Sequence, residues 1–407
     1  MQLDINFVRR QFPAFSDDAL AGKSFFENAG GSYPCRQVTD RLSRFYRQRK
    51  VQPFGAYQPS IAAGAEMDEA RRRLAGMLGI EADDLSFGPS TTQNTYVLAQ
   101  AFRRILTPNC AVIVTNQDHE ANSGPWRRLA DDGVEIREWK IDPLTGQLKL
   151  SGLQNLLDER VRLVCFPHCS NIVGHINPVA EICGIARKAG AWTCVDGVSY
   201  APHGLPDIGK LGADIYLFSA YKTFGPHQGL MSIKRELSER MPNQGHYFNA
   251  STPHLRFTPA GPDHAQVAAC AGIADYVDAL YERHCREDAH ISVRARTIHD
   301  LMRQRESMLL APLLRYLASK NSVRLVGPEA VDERAPTVSV LTGKPGMQAA
   351  KELVKFGIMA GGGHFYGVRC LEALGIDPGH GVLRLSFVHY TRRKEIEALI
   401  NALEAVI

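Results

Sequence analysis

Four short runs of β-branched and apolar residues, Cys110–Thr115, Val161–Phe166, Ala191–Asp196 and Ala213–Phe218, recur along the chain, several separated by stretches of helical spacing. Apolar runs of this length suit strands buried on both faces, and their alternation with helices predicts an α/β fold with a mostly parallel sheet. Such sheets collect ligands at the carboxyl ends of their strands. The polar residues of this chain gather at those ends: His168 to Asn171 follow one run, Asp196 closes another, and Ser219 to Lys222 follow a third. From about residue 305 the pattern changes to helix, strand, glycine-rich loop, strand and a last helix, Arg393–Ile407, which predicts a smaller α+β unit. We expect a large domain over residues 21–300 and a small one built from 1–20 and 301–407. The loop Ala360–Tyr366 and the strand Val382–Ser386 are expected where the two meet, a common place for a ligand.

Composition narrows the function classes. A chain of 407 residues, 44% hydrophobic and 22% charged, suffices for two globular domains. A net charge of +4 without a long Lys/Arg block speaks against nucleic acid as a partner. No stretch approaches the roughly twenty apolar residues of a membrane span. The start, MQLDINFVRRQFPAF, lacks the apolar core of a secretion signal, so a cytoplasmic protein is expected. The nine cysteines are odd in number and scattered, as reduced thiols are. His168 between Cys165 and Cys169 lacks a second ligand pair, and no metal site is expected.

The polar residues supply what pyridoxal 5'-phosphate (PLP) chemistry requires: an amine for the aldehyde, an anion for the pyridine nitrogen, a phosphate cradle and a group for the substrate carboxylate. Lys222 sits in the tight turn Phe218–Pro226, where desolvation lowers an amine's pKa. A lone loop lysine is more often solvated; its company makes this one different. Asp196, 222 − 196 = 26 residues earlier, ends an apolar strand and needs a cationic or donor partner there. Ser90 and Gln93 have capping-box spacing ahead of a helix carrying Val97, Leu98, Ala101, Phe102, Ile105 and Leu106. A helix start also offers N–H groups to a phosphate, with Thr91, Thr92, Gln93 and the hydroxyl of Ser219 as candidates. Arg384 can grip a carboxylate at two points.

Together these residues resemble the class V aminotransferases of PLP fold type I, and within them the cysteine desulfurase group. The resemblance begins at Phe26–Gly31 and continues through Thr91, Thr92 and Gln93, Asp118 to Asn122, Cys169 to Gly174, Asp196, His203, Ser219, Lys222 and Arg384. It implies that Lys222 carries the cofactor and serves as base at the α-carbon, with His119 stacked on the ring and Asp196 on its nitrogen. Asn171, Ser199 and Tyr221 are implied beside the cofactor. Asn28, Ala29, Gly30, Asn171, His364, Tyr366 and Arg384 are implied around an amino-acid substrate. A homodimer is implied too, with Arg256 to His264 as the crossing segment.

The pattern breaks at four places. Tyr366 stands where a desulfurase carries its nucleophilic cysteine, and Cys370 follows four residues on. Ser199 replaces a glutamine, Tyr221 a histidine, and Pro262 leaves no hydroxyl for a partner's phosphate. Three functions therefore stay open: a desulfurase-like lyase without a protein persulfide, an aminotransferase or epimerase, and a scaffold that keeps only the fold.

Overall fold

The computed structural model describes residues 2–407. Among the described residues thirteen strands occur in chain order: β1 (Ser24–Phe25), β2 (Leu85–Gly88), β3 (Ala111–Thr115), β4 (Glu135–Trp139), β5 (Val161–Pro167), β6 (Trp192–Asp196) and β7 (Ile215–Ser219) come first. They are followed by β8 (Gly229–Ile233), β9 (Arg324–Val326), β10 (Thr337–Leu341), β11 (Ile358–Met359), β12 (Gly361–Gly363) and β13 (Val382–Ser386). Seven of them form one sheet in the order β2-β8-β7-β6-β5-β3-β4. Only β8 runs against its neighbours. The α/β class and the mostly parallel sheet read from the sequence are therefore present.

Alternation explains why this sheet is closed on both faces. Along β7, Ile215 and Leu217 enter one apolar cluster while Tyr216 and Phe218 enter another. Along β5, Leu163 and Cys165 divide from Val164 and Phe166 in the same way. Each fully buried Leu, Ile, Val or Phe contributes roughly 1.5–3 kcal/mol before chain entropy is counted, so both layers of helices are tightly held to the sheet.

A second, antiparallel sheet has the order β12-β13-β10-β9. It is backed by a separate core that includes Leu309, Leu313, Leu383, Leu385, Leu399 and Leu403. The glycine run expected as a loop is in fact partly strand β12, with Gly361 opposite Arg384. Side chains are absent there for steric reasons, since a Cβ at Gly362 would lie 2.2 Å from the carbonyl carbon of Gly346. Leu3, Val8 and Phe12, from the segment expected in the small unit, pack into the larger core, whereas Phe26 joins the smaller one. Helix Ile291–Ala318 runs through the expected boundary at 300/301. Its Ala295, Ile298, Leu301 and Met302 pack in the large core, and Leu309 to Leu317 in the small. Among the described residues no helix is long and apolar enough to cross a membrane.

Candidate active site

The carboxyl ends of β2, β3, β5, β6 and β7 meet along one edge of the large sheet. There they enclose a cavity of about 310 Å³ lined by Thr91, Thr92, His119, Asn171, Asp196, Ser199, Ser219, Tyr221 and Lys222, with Ser90, Cys169 and His227 among the others. Residues from 90 to 227 converge because parallel strands deliver their following turns to the same side.

Lys222 occupies a one-turn helix directly after β7 and is 7% exposed. Burial, helped by the positive charge of Arg384, lowers its amine to about 8. Among the described residues its Nζ has no hydrogen-bond partner and no ion pair. Asp196 ends β6, and one oxygen, Oδ1, accepts the Val198 N–H at 2.8 Å. Burial raises its carboxyl to about 6. Lys222 and Asp196 thus line the same cavity without bonding to each other, which leaves room for a ring between an amine and an anion.

The phosphate end is built from the helix Thr91–Phe102. Ser90 Oγ accepts the Gln93 N–H at 3.1 Å, half of the expected capping box. The Gln93 side chain is exposed and, unlike Thr91 and Thr92, does not line the cavity. Its backbone donor is spent on the cap. Thr91 Oγ1 and Ser219 Oγ lie 2.7 Å apart, so Thr91, rather than Thr92, pairs with Ser219. The two elements approach this closely because β8 starts with glycine: a Cβ at Gly229 would sit 2.4 Å from the Ser90 carbonyl carbon. The helix itself ends at Phe102, short of Ile105 and Leu106.

His119 Nδ1 accepts the Ala121 N–H at 3.0 Å, which leaves the ring's hydrogen on Nε2. Burial, with Lys222 and Arg384 nearby, lowers its pKa to about 3, so the ring is neutral. Asp118, just before it, is fully enclosed; burial raises its carboxyl to about 8 against hydrogen bonds from Thr115 and Asn122. Asn171 Nδ2 donates to the Phe365 carbonyl at 2.8 Å, while its Oδ1 is buried without a partner.

Arg384 is 3% exposed and does not line the cavity directly. Its Nη1 donates to the Asn171 carbonyl at 3.3 Å, its Nη2 to Glu27 at 2.6 Å, and its Cζ lies 3.7 Å from the Phe365 ring centre. Nε is buried and unpaired. Asn28, Ala29 and Gly30, expected around the substrate, do not line the cavity directly. Asn28 Nδ2 donates to the Ser386 carbonyl at 3.2 Å, and its Oδ1 accepts the Tyr390 hydroxyl. The Ala29 N–H goes to Ser386 Oγ at 2.9 Å and the Gly30 N–H to the Glu27 carbonyl at 2.9 Å. The Asn28 and Ala29 bonds tie the entry loop to Ser386 of β13.

His364 and Tyr366 are exposed at the mouth. The Tyr366 ring lies 5.2 Å from that of His119, and His364 Nδ1 accepts the Tyr366 N–H at 3.2 Å. Cys370 lies on helix Val368–Ala373, wholly buried, its thiol pushed up to about 12 by burial. It cannot serve as the missing nucleophile without unpacking that helix. His203 is also away from the cavity, with Nδ1 and the buried Glu306 carboxylate 3.0 Å apart. Two residues escaped the sequence reading. His227 stacks on Tyr221 with ring centres 4.9 Å apart, and Glu27 occupies Arg384; both lie inside segments whose neighbours were singled out.

Residues 24–399 match the model of the class V aminotransferases. The chain belongs to this family. Members of the class V aminotransferase family are PLP-dependent enzymes, and the open amine of Lys222, the anion of Asp196, the free Asn171 Oδ1 and the paired hydroxyls fit such a group. An aminotransferase-like protein of Gibberella zeae is 32% identical over 414 residues, covering 99% of this chain and 98% of its own. A cysteine desulfurase-like protein of Aspergillus flavus is 27% identical over 427 residues, covering 100% and 91%. The apo structure of a cysteine desulfurase from Thermococcus onnurineus superposes with a TM-score of 0.86 at 24% identity, covering 100% of this chain and 98% of that one. That last likeness is one of fold, and it agrees with PLP fold type I. Among the described residues no group of three or more His, Cys, Asp or Glu side chains is placed to hold a metal.

Proposed function

We propose that this class V enzyme binds PLP through Lys222 and acts on an amino acid at its α-carbon as a desulfurase-like C–S or related lyase that keeps no persulfide on the protein. The supporting observation is the pairing of an exposed Tyr366 on the mouth loop with a sealed Cys370: no cysteine thiol is offered to substrate there. When bound, PLP withdraws electrons from the substrate's α-carbon. Lys222 would take and return the α-proton at Nζ. Asp196 would hold the ring nitrogen, neutral His119 would lie beside the ring, and Thr91, Thr92 and Ser219 would hold its phosphate. Asn171, Ser199 and Tyr221 border the ring, Arg384 receives the α-carboxylate, and His364 and Tyr366 meet the substrate side chain.

The test is an absorbance spectrum of the purified protein before and after adding amino acids in turn, with sulfide and keto acid assayed in the same cuvette. A visible band that shifts, with an eliminated group released, supports the lyase. The aminotransferase-like relative favours a second reading, an aminotransferase or epimerase, which predicts amine retained on the cofactor or loss of optical activity instead. A protein that PLP cannot colour refutes both.

A homodimer is part of the proposal. Exposed aromatic residues support it: Phe54, Tyr57, Tyr247 and Phe248 are 62%, 53%, 88% and 64% exposed in the single chain. Sedimentation at micromolar protein distinguishes dimer from monomer. Nine free cysteines support a cytoplasmic location.

A further inference from the structure

Arg384 is already held by a carboxylate from its own chain. Glu27 Oε1 accepts from Nη2 at 2.6 Å. The carboxylate is seated in a slot made by missing side chains, for a Cβ would lie 2.3 Å from Oε2 at Gly361 and 2.9 Å from Oε1 at Gly30. The slot fixes the acid against the guanidinium, with Oε2 buried and unpartnered. Asn171 and the Phe365 ring take two further sides of Arg384. Phe365 and Tyr366 hold this cover in left-handed backbone, at φ of 47° and 58°, which non-glycine residues seldom adopt. Two of the five guanidinium N–H groups are used, one on the Asn171 carbonyl and one on Glu27, and the buried Nε–H has no partner.

Resting on the reading of Arg384 as the carboxylate receptor, we propose that Glu27 is a specificity-determining residue, a resident carboxylate that competes with the incoming one. The Arg384–Glu27 pair is formally neutral, so a second carboxylate meets attraction and repulsion together. Full two-point binding follows only when Glu27 swings out of its slot and Phe365 moves with it. Ligands are therefore admitted by their ability to displace a built-in acid, and small carboxylates that bind by charge alone are held weakly.

The test uses the full-length protein as purified, in wild-type, Glu27→Gln and Glu27→Asp forms. Thermal unfolding is followed in sodium acetate against sodium chloride at equal ionic strength. Acetate is expected to stabilise Glu27→Gln with an apparent affinity about tenfold above wild type, and Glu27→Asp, whose shorter arm reaches Arg384 less well, to fall between. Equal acetate responses in all three overturn the proposal; if Glu27→Gln does not fold, a Glu27→Asp response equal to wild type does so. In coloured protein a second readout is the rate at which aminooxyacetate bleaches the visible band, divided by that for O-methylhydroxylamine, which lacks the carboxylate. This ratio is expected to rise about tenfold in Glu27→Gln, and an unchanged ratio counts against competition. A colourless protein refutes the cofactor reading alone, and the acetate measurement still decides on Glu27.

Discussion

Asp196 ends β6, Lys222 lies in the turn directly after the adjacent parallel strand β7, and the two line one cavity without forming an ion pair. Buried opposite charges attract each other strongly. Here the sheet register, with Asp196 opposite Leu217, fixes the two backbones, and Asp196 is turned aside by the Val198 N–H. The separation is therefore a property of the scaffold, and it persists before any ligand arrives.

Lys222→Ala is expected to abolish the visible absorption of lysine-bound cofactor and to lower turnover by at least about a thousandfold. Circular dichroism of the variant should match wild type, because the side chain makes no hydrogen bond or ion pair among the described residues. Normal turnover in this variant would exclude Lys222 as the base.

The lowered amine of Lys222, at about 8, sets a pH dependence for cofactor uptake. Only the neutral amine attacks an aldehyde, so the rate of colour return after adding PLP to stripped protein should rise about tenfold per pH unit up to about 8 and then level. Stopped-flow absorbance measures this directly.

Asp118 gives a stability signature. Its folded-state carboxyl lies at about 8, above the ordinary 3.8, so the fold binds a proton that the unfolded chain releases. Stability is then complete at low pH and is lost as pH rises toward 8, with a slope of up to about 1.4 kcal/mol per pH unit. Denaturant titrations from pH 5 to 8 should show the decline in wild type and lose it in Asp118→Asn.

Cys370→Ala should leave turnover within about twofold of wild type while lowering the melting temperature, since the loss is one of packing. A collapse of activity without loss of stability would restore this thiol as a nucleophile.

Arg334→Ala is expected to cost at least about 3 kcal/mol. The guanidinium is 0% exposed and donates to the carbonyls of Pro328, Val173, Val326 and Thr337, at distances from 2.7 to 3.4 Å. Removing it leaves buried acceptors unmet beside the Asn171 loop, and chemical denaturation should read the difference.

What the sequence disclosed follows from range. The strand runs at 161, 191 and 213 and the cavity residues Asp196, Ser219 and Lys222 were legible because each depends on its own neighbours: apolar composition makes the strand, and the next turn carries the chemistry. The glycine strand β12 was hidden because part of its reason lies far away in the chain: a Cβ at Gly361 would meet the Glu27 carboxylate, 361 − 27 = 334 residues earlier. The partners of Asn28, Ser386 and Tyr390, lie more than 350 residues away, where no local pattern declares them. Glu27 was hidden likewise, as a carboxylate declares its partner only when the chain has closed on Arg384.

Helix Ile291–Ala318, with 28 residues, spans about 42 Å and is rooted in both apolar cores. A shared beam of this kind makes the two cores thermodynamically interdependent: neither can melt without fraying the element that completes the other. Heat or denaturant should accordingly take the chain apart in a single cooperative transition, and damage far from the cavity, at either end of the beam, will be felt as a loss of the whole.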